Sequence, residues 1–96
     1  MDFTAYDLRT GTIVDARAED DALRLVLDFG SEQRSAVARI TERYTPADLQ
    51  GRQVVAVVNP PGALPGTCVV LAAISAREGA VLVAPEHPVP DGTPVV

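Results

Sequence analysis

The most regular pattern in the chain is "ALRLVLDFG", in which Leu23, Leu25, Leu27 and Phe29 alternate with Arg24, Val26 and Asp28. A period of two is that of a strand buried on one face, so the stretch predicts a strand with Phe29 in the core. The preceding "LRTGTIVDARA" reads as another strand, and Gly11 inside it predicts a bulge or tight bend. Glu19, Asp20 and Asp21 form an acidic turn between the two. After Gly30, "RSAVARI" predicts a third strand, with Arg34, Ala36, Ala38 and Ile40 on one face and Ser35, Val37, Arg39 and Thr41 on the other. Its small residues leave room for a close neighbour, either a curled sheet or a ligand.

The pattern then changes. In "TPADLQG", Thr45 is a good helix N-cap and Pro46 suits the first helical position, where its missing N–H costs nothing. Asp48 at the third position completes an aspartate form of the capping box. Leu49 faces inward and Gly51 takes the left-handed position after the helix. "RQVVAVVN" follows as a strand with Val54, Ala56 and Val58 on one side and Val55 and Val57 on the other. Both sides are apolar, so both should be covered. "PPGALPG" is a stiff loop, "TCVVLAAI" a strand, "SAREG" a turn and "AVLVA" a further strand. The four-proline tail "PEHPVPDGTPVV" suits an extended edge or a wrapping arm, and "DFTAYDL" one helical turn with Asp2 as cap and Phe3 inward. Five strands with a helix between the third and fourth is the order of an OB-fold, a small curled all-β barrel. At 96 residues, the chain is expected to form a single domain over 1–96.

Charge sharpens this picture. All eight basic residues are arginine, and the net charge of −5 argues against broad, non-specific nucleic-acid binding. The charge is uneven, however. Arg34, Arg39, Arg43 and Arg52 face only Glu42 and Asp48 across residues 34–52, the one basic segment. The guanidinium fork pairs well with phosphate, and Ser35 and Thr41 alternate with Arg39 onto one strand face. Aromatic residues for base stacking are scarce, with Tyr44 the better surface candidate; recognition of folded RNA by shape and phosphate therefore fits better than a stacking platform.

Enzymatic chemistry finds little support. His87, the single histidine, has no nucleophile or acid arranged around it in sequence, and one cysteine with one histidine offers no metal-ligand spacing. Asp20 and Asp21 serve solubility rather than sugar chemistry. Cys68, in "TCVVLAA", reads as a small buried hydrophobe without a disulfide partner. No phosphate-loop or dinucleotide fingerprint occurs, and no cofactor is expected. The acidic "MDFTAYDLR" lacks the features of a signal peptide, and no apolar run reaches the ~20 residues that span a bilayer. A cytoplasmic protein without membrane insertion is expected.

Four stretches carry a resemblance: "DFTAYDLRTGTIVDA", "LVLDFG", "ARITERYTPADLQGRQVVAVVN" and "PEHPVPDGTPV", in that order and over most of the chain. The chain resembles the CsaA family of secretion-related chaperones and, more widely, the tRNA-binding domains of EMAP-II-like cofactors and of some aminoacyl-tRNA synthetases. The resemblance implies a homodimeric OB-fold that binds tRNA without catalysis, with segments 2–8 and 85–96 helping to build the dimer. It also implies a chaperone role for unfolded or presecretory chains, held in apolar pockets near the subunit interface. A polypeptide binder with little RNA affinity is the alternative. The family's "S-A-Q-I-T" falls on Val37 to Thr41, so that valine and arginine replace its polar serine and glutamine. The basic residues of the family's loop after Asn59 are absent from "NPPGAL". Arg34, Ser35, Arg39, Thr41, Arg43, Arg52 and Asn59 are the expected RNA-binding residues.

Overall fold

A computed structural model describes residues 5–96. The expectation of a helical turn capped by Asp2, with Phe3 inward, therefore lies outside the described residues. The chain forms strands β1 (Leu8–Glu19), β2 (Ala22–Asp28) and β3 (Gln33–Ala38), then helix α1 (Pro46–Leu49). Strands β4 (Gln53–Val57), β5 (Val69–Val70), β6 (Ala72–Ser75) and β7 (Gly79–Leu82) follow. The first five strands make one sheet in the order β3-β2-β1-β4-β5, while β6 and β7 form a hairpin.

The sheet curls until its ends meet. Ser35 of β3 donates its N–H to the Gly66 carbonyl at 2.9 Å and accepts the Cys68 N–H at 2.9 Å, a parallel bridge centred on Thr67. Small side chains at Ala36 and Ala38 permit this curvature and turn inward, paired with Leu25 and Leu23. The five-stranded barrel with its helix between the third and fourth strands is the expected OB-fold. Ile13, Leu23, Leu25, Leu27, Leu49 and Val54 fill its centre.

The helix closes one end of the barrel. Thr45 donates its N–H to Asp48 Oδ2 at 3.1 Å, and this bond holds the Asp48 carboxyl below the usual carboxylate range. Gly51 has φ +86°, the left-handed geometry that lets the chain leave the helix at once. Its N–H then reaches the Ile13 carbonyl at 2.8 Å, and the Ile13 N–H returns to the Arg52 carbonyl at 2.9 Å. The corner is thereby tied to the middle of β1.

Two expectations change. Gly11 is not the bulge: the register of β1 against β2 slips between Ile13 and Asp15. Glycine is needed at position 11 because the Phe29 ring packs against its Cα. "TCVVLAAI" is not one strand but breaks at Leu71 between β5 of the barrel and β6 of the hairpin. Both apolar sides of β4 are covered, as expected, and largely within one chain: Val54, Val55, Ala56 and Val58 are buried and only Val57 is half-buried.

The proline-rich tail wraps as an extended arm along the first half of β1. Thr10 donates its N–H to the Thr93 carbonyl at 3.0 Å and accepts the Gly92 N–H at 2.7 Å. Asp91 Oδ1 accepts from the Thr12 hydroxyl at 2.7 Å and from Gln53 Nε2 at 3.0 Å. Prolines fit there because the arm bonds along one edge only.

Candidate nucleic-acid interface

The outer surface of β1, β2 and β3 brings together arginines that are far apart in sequence. Glu19 pairs with Ala22 across a tight turn at Asp20 and Asp21. Asp20 has φ +55°, a geometry that aspartate tolerates better than most residues. This turn fixes the hairpin register, and the register places Arg17 directly across from Arg24, which in turn faces Val37 on β3. Directly paired residues point to the same side of a sheet. One row of the outer face therefore reads Arg17, Arg24, Val37.

Arg39 extends the row, two positions beyond Val37 in the same outward alternation, with its side chain 80% exposed. Ser35 and Thr41 belong to the same alternation, Ser35 half-buried and Thr41 exposed. Next to Arg39, a groove of about 320 Å³ runs between the segment after β3 and the β6–β7 hairpin, lined by Ile40, Glu42, Ile74 and Gly79 among others. It adjoins a cleft of about 450 Å³ bordered by Arg43 and Arg77. Arg43 Nε donates to the Glu78 carbonyl at 3.3 Å.

The remaining expected site residues stand apart from this row. Arg34 has the inward parity of Ala36 and Ala38, and its side chain is only 23% exposed. Its Nη1 donates to the carbonyls of Val58 (2.9 Å) and Thr67 (3.3 Å), while Nε and Nη2 grip Glu32 Oε1. Its guanidinium thus links β3 to the segments on either side of the "PPGALPG" loop. Arg52 lies over the Tyr44 ring, 5.8 Å from its centroid. Asn59 accepts the Asp7 N–H at 2.7 Å and donates to the Ala5 carbonyl at 3.4 Å, fastening the N-terminal segment. Tyr44 is not a surface ring: it is buried, and its hydroxyl accepts the Leu82 N–H at 3.0 Å.

Arg17 and Arg24 escape a reading by segment charge because they lie in the acidic first third of the chain. The signal that finds them is the two-residue turn, from which the cross-strand register can be counted.

Each arginine of the row has a carboxylate beside it. Arg17 Nε meets Asp15 Oδ2 at 3.0 Å, and Arg24 grips Glu19 with two bonds of 2.7 and 3.1 Å. Arg39 stands 3.8 Å from Asp21. The paired bonds from Arg24 hold the Glu19 carboxyl below its ordinary range. Exposed pairs of this kind contribute little to stability and can exchange partners.

Elsewhere, Tyr6, Leu8, Asn59, Pro94 and Val95 line a mostly apolar cleft of about 430 Å³ between the two terminal segments. Cys68 is buried beneath β3, and burial pushes its thiol up to about 11 despite the opposing influence of Arg34. His87 is exposed in the tail. Among the described residues no group of His, Cys, Asp and Glu is arranged to hold a metal ion, and no helix is long and apolar enough to cross a membrane.

Comparison with known proteins adds to this geometry. The family described as "Putative tRNA binding domain" matches residues 8–94. A crystal structure of the chaperone CsaA from Bacillus anthracis superposes with a TM-score of 0.88 at 36% identity, covering 98% of this chain and 94% of that one. A structure of a MetRS-related protein from Pyrococcus horikoshii gives a TM-score of 0.83 at 25% identity, covering 98% and 93%. The methionine–tRNA ligase of Archaeoglobus fulgidus is 37% identical over 102 residues, which is 98% of this chain and 15% of the ligase. The chain spans 9 to 15% of the length of such ligases.

Proposed function

The chain belongs to the tRNA-binding domain family of OB-folds that includes the CsaA chaperones, and on that premise we propose that it is a non-catalytic RNA-binding protein, formed as a single domain, whose ligand is tRNA. The observation that carries this reading is the Arg17–Arg24–Val37 row, continued by Arg39, on the outside of the barrel. Three guanidinium groups, on β1, on β2 and just past the end of β3, match a backbone of phosphates rather than a single small anion. Ser35 and Thr41 supply neutral donors on the same alternation, and Arg43 extends the surface along the groove beside the β6–β7 hairpin. Arg34, Arg52 and Asn59 support the surface by holding the barrel end, the helix corner and the N-terminal segment.

A titration of labelled bulk tRNA, read by fluorescence anisotropy over a salt series, tests this function. Saturable binding whose affinity falls steeply with salt is the expected result, because each neutralised phosphate releases counterions. No binding at low salt overturns it.

The second reading, capture of unfolded or presecretory polypeptide, is favoured by a separate observation. The cleft lined by Tyr6, Leu8, Pro94 and Val95 is apolar and open. Its position between the terminal segments also supports a homodimer assembled there, with the cleft near the subunit boundary; a cytoplasmic location belongs to the same proposal. Sedimentation equilibrium of the purified protein distinguishes a dimer from a monomer. Binding of a reduced, unfolded test protein with no binding of tRNA places this reading first.

A further inference from the structure

The carboxylates beside the arginine row are placed where a ligand's phosphates would sit. Asp15, Glu19 and Asp21 each stand beside one arginine, from the two-bond grip of Glu19 on Arg24 at 2.7 and 3.1 Å to the looser 3.8 Å approach of Asp21 to Arg39. Glu19 precedes the tight hairpin turn and Asp21 lies within it, so the turn that sets the Arg17–Arg24 register also delivers the competing charge. The row as a whole is therefore close to electrically balanced, in a chain whose net charge is −5.

We propose that Asp15, Glu19 and Asp21 are specificity-determining residues of the RNA-binding face: built-in competitors of phosphate that a ligand must displace together. This rests on the RNA-binding reading above. A flexible polyanion that offers one phosphate at a time gains little by displacing one carboxylate, since exchange of one anion for another on the same fork is nearly even. A folded RNA that presents several phosphates at fixed spacing displaces all three in one event and keeps its own contacts. Discrimination then comes from a repulsive element as well as an attractive one. Like charges on the rim also slow the approach of polyanions that do not fit.

The test compares wild type with the variants E19Q, D21N and the double variant E19Q/D21N. All three alter exposed side chains. The probes are labelled bulk tRNA and a short labelled oligothymidylate. A unit charge about 6 Å from a phosphate in water at 0.1 M salt changes affinity about two- to threefold. Each single variant is expected to bind tRNA that much more tightly, and the double variant about four- to tenfold, with a larger gain for oligothymidylate, the probe the carboxylates hold off. The preference for tRNA over oligothymidylate is expected to narrow. The salt slope for tRNA is expected to stay that of wild type, because the same phosphates are met. If wild type binds tRNA and the double variant binds it equally or more weakly, this inference falls and the RNA-binding reading stands. A gain for oligothymidylate no larger than that for tRNA overturns the selectivity. Absence of tRNA binding by all four proteins at low salt overturns both readings together.

Discussion

The ring of Phe29 lies against the backbone of Gly11, where an added Cβ would stand 2.7 Å from Phe29 Cε1 and 2.9 Å from Cδ1. Phe29 ends the inward alternation begun by Leu23, and Gly11 is the only residue of β1 that leaves the ring its place. Replacement of Gly11 by Ala is expected to destabilise the protein by about 1–3 kcal/mol through overpacking, measured by urea denaturation. Phe29→Leu in the same chain should restore part of that loss, a coupling a double-mutant cycle detects. Equal stability of Gly11→Ala and wild type contradicts the packing described.

Tyr44 and Leu82 give a second test. The phenol accepts the Leu82 N–H and so fastens the segment before the helix to β7. Tyr44→Phe keeps the ring and leaves that N–H without its acceptor. The expected cost is about 1–3 kcal/mol, read from the shift in the urea midpoint. Hydrogen exchange at the Leu82 amide should quicken as well; unaltered exchange argues that the bond is not made in solution.

Arg34 and Arg39 should separate fold from binding. Arg39→Ala is expected to leave the thermal midpoint in place and to lower the salt slope for tRNA by about 0.9, one phosphate contact. Arg34→Ala removes the donors to the Val58 and Thr67 carbonyls. It is expected to lower stability by about 1–3 kcal/mol with the salt slope kept. A reversed pattern would move the binding surface to the barrel end held by Arg34.

Cys68 links burial to alkaline pH. Its thiol in the folded protein titrates at about 11, above the ordinary value of 9.0. Below pH 9 the thiol is neutral in folded and unfolded chains alike, and it leaves stability independent of pH. Between pH 9 and 11 the unfolded chain has lost this proton and the folded one retains it, so its contribution falls as pH rises. Chemical denaturation across that window should show the decline in wild type and a smaller one in Cys68→Ala. In native protein at neutral pH a thiol reagent should label Cys68 only as fast as the chain opens.

Local chemistry made much of the fold legible. The Thr45–Pro46–Asp48–Gly51 corner is determined by residues adjacent in sequence, and it forms as its chemistry dictates. The alternation from Leu23 to Phe29 likewise specifies its own buried face. Other features depend on partners distant in sequence. Arg34 and Arg39 occur in one short run, yet an odd spacing sends them to opposite sides of the sheet. Arg17 and Arg24 become neighbours only through the hairpin register, and Tyr44 packs into the core, where the distant Leu82 N–H meets its hydroxyl. The break at Leu71 is equally silent, since "CVVLAA" is apolar on both sides of the point where the chain leaves the barrel.

The pairing of Thr10 with Gly92 and Thr93 has a kinetic meaning. The first half of β1 has β4 on one flank and the tail on the other, so its second flank stays open until the last part of the chain arrives. Contacts of such long sequence separation slow folding, because the chain must close a large loop before it gains the bonds. The β1–β2–β3 meander forms from neighbours and can assemble early. Docking of the tail onto buried Thr10 is then the late step, and a ribosome-bound chain still lacking residues 90–95 would hold the RNA-facing meander on a barrel not yet sealed.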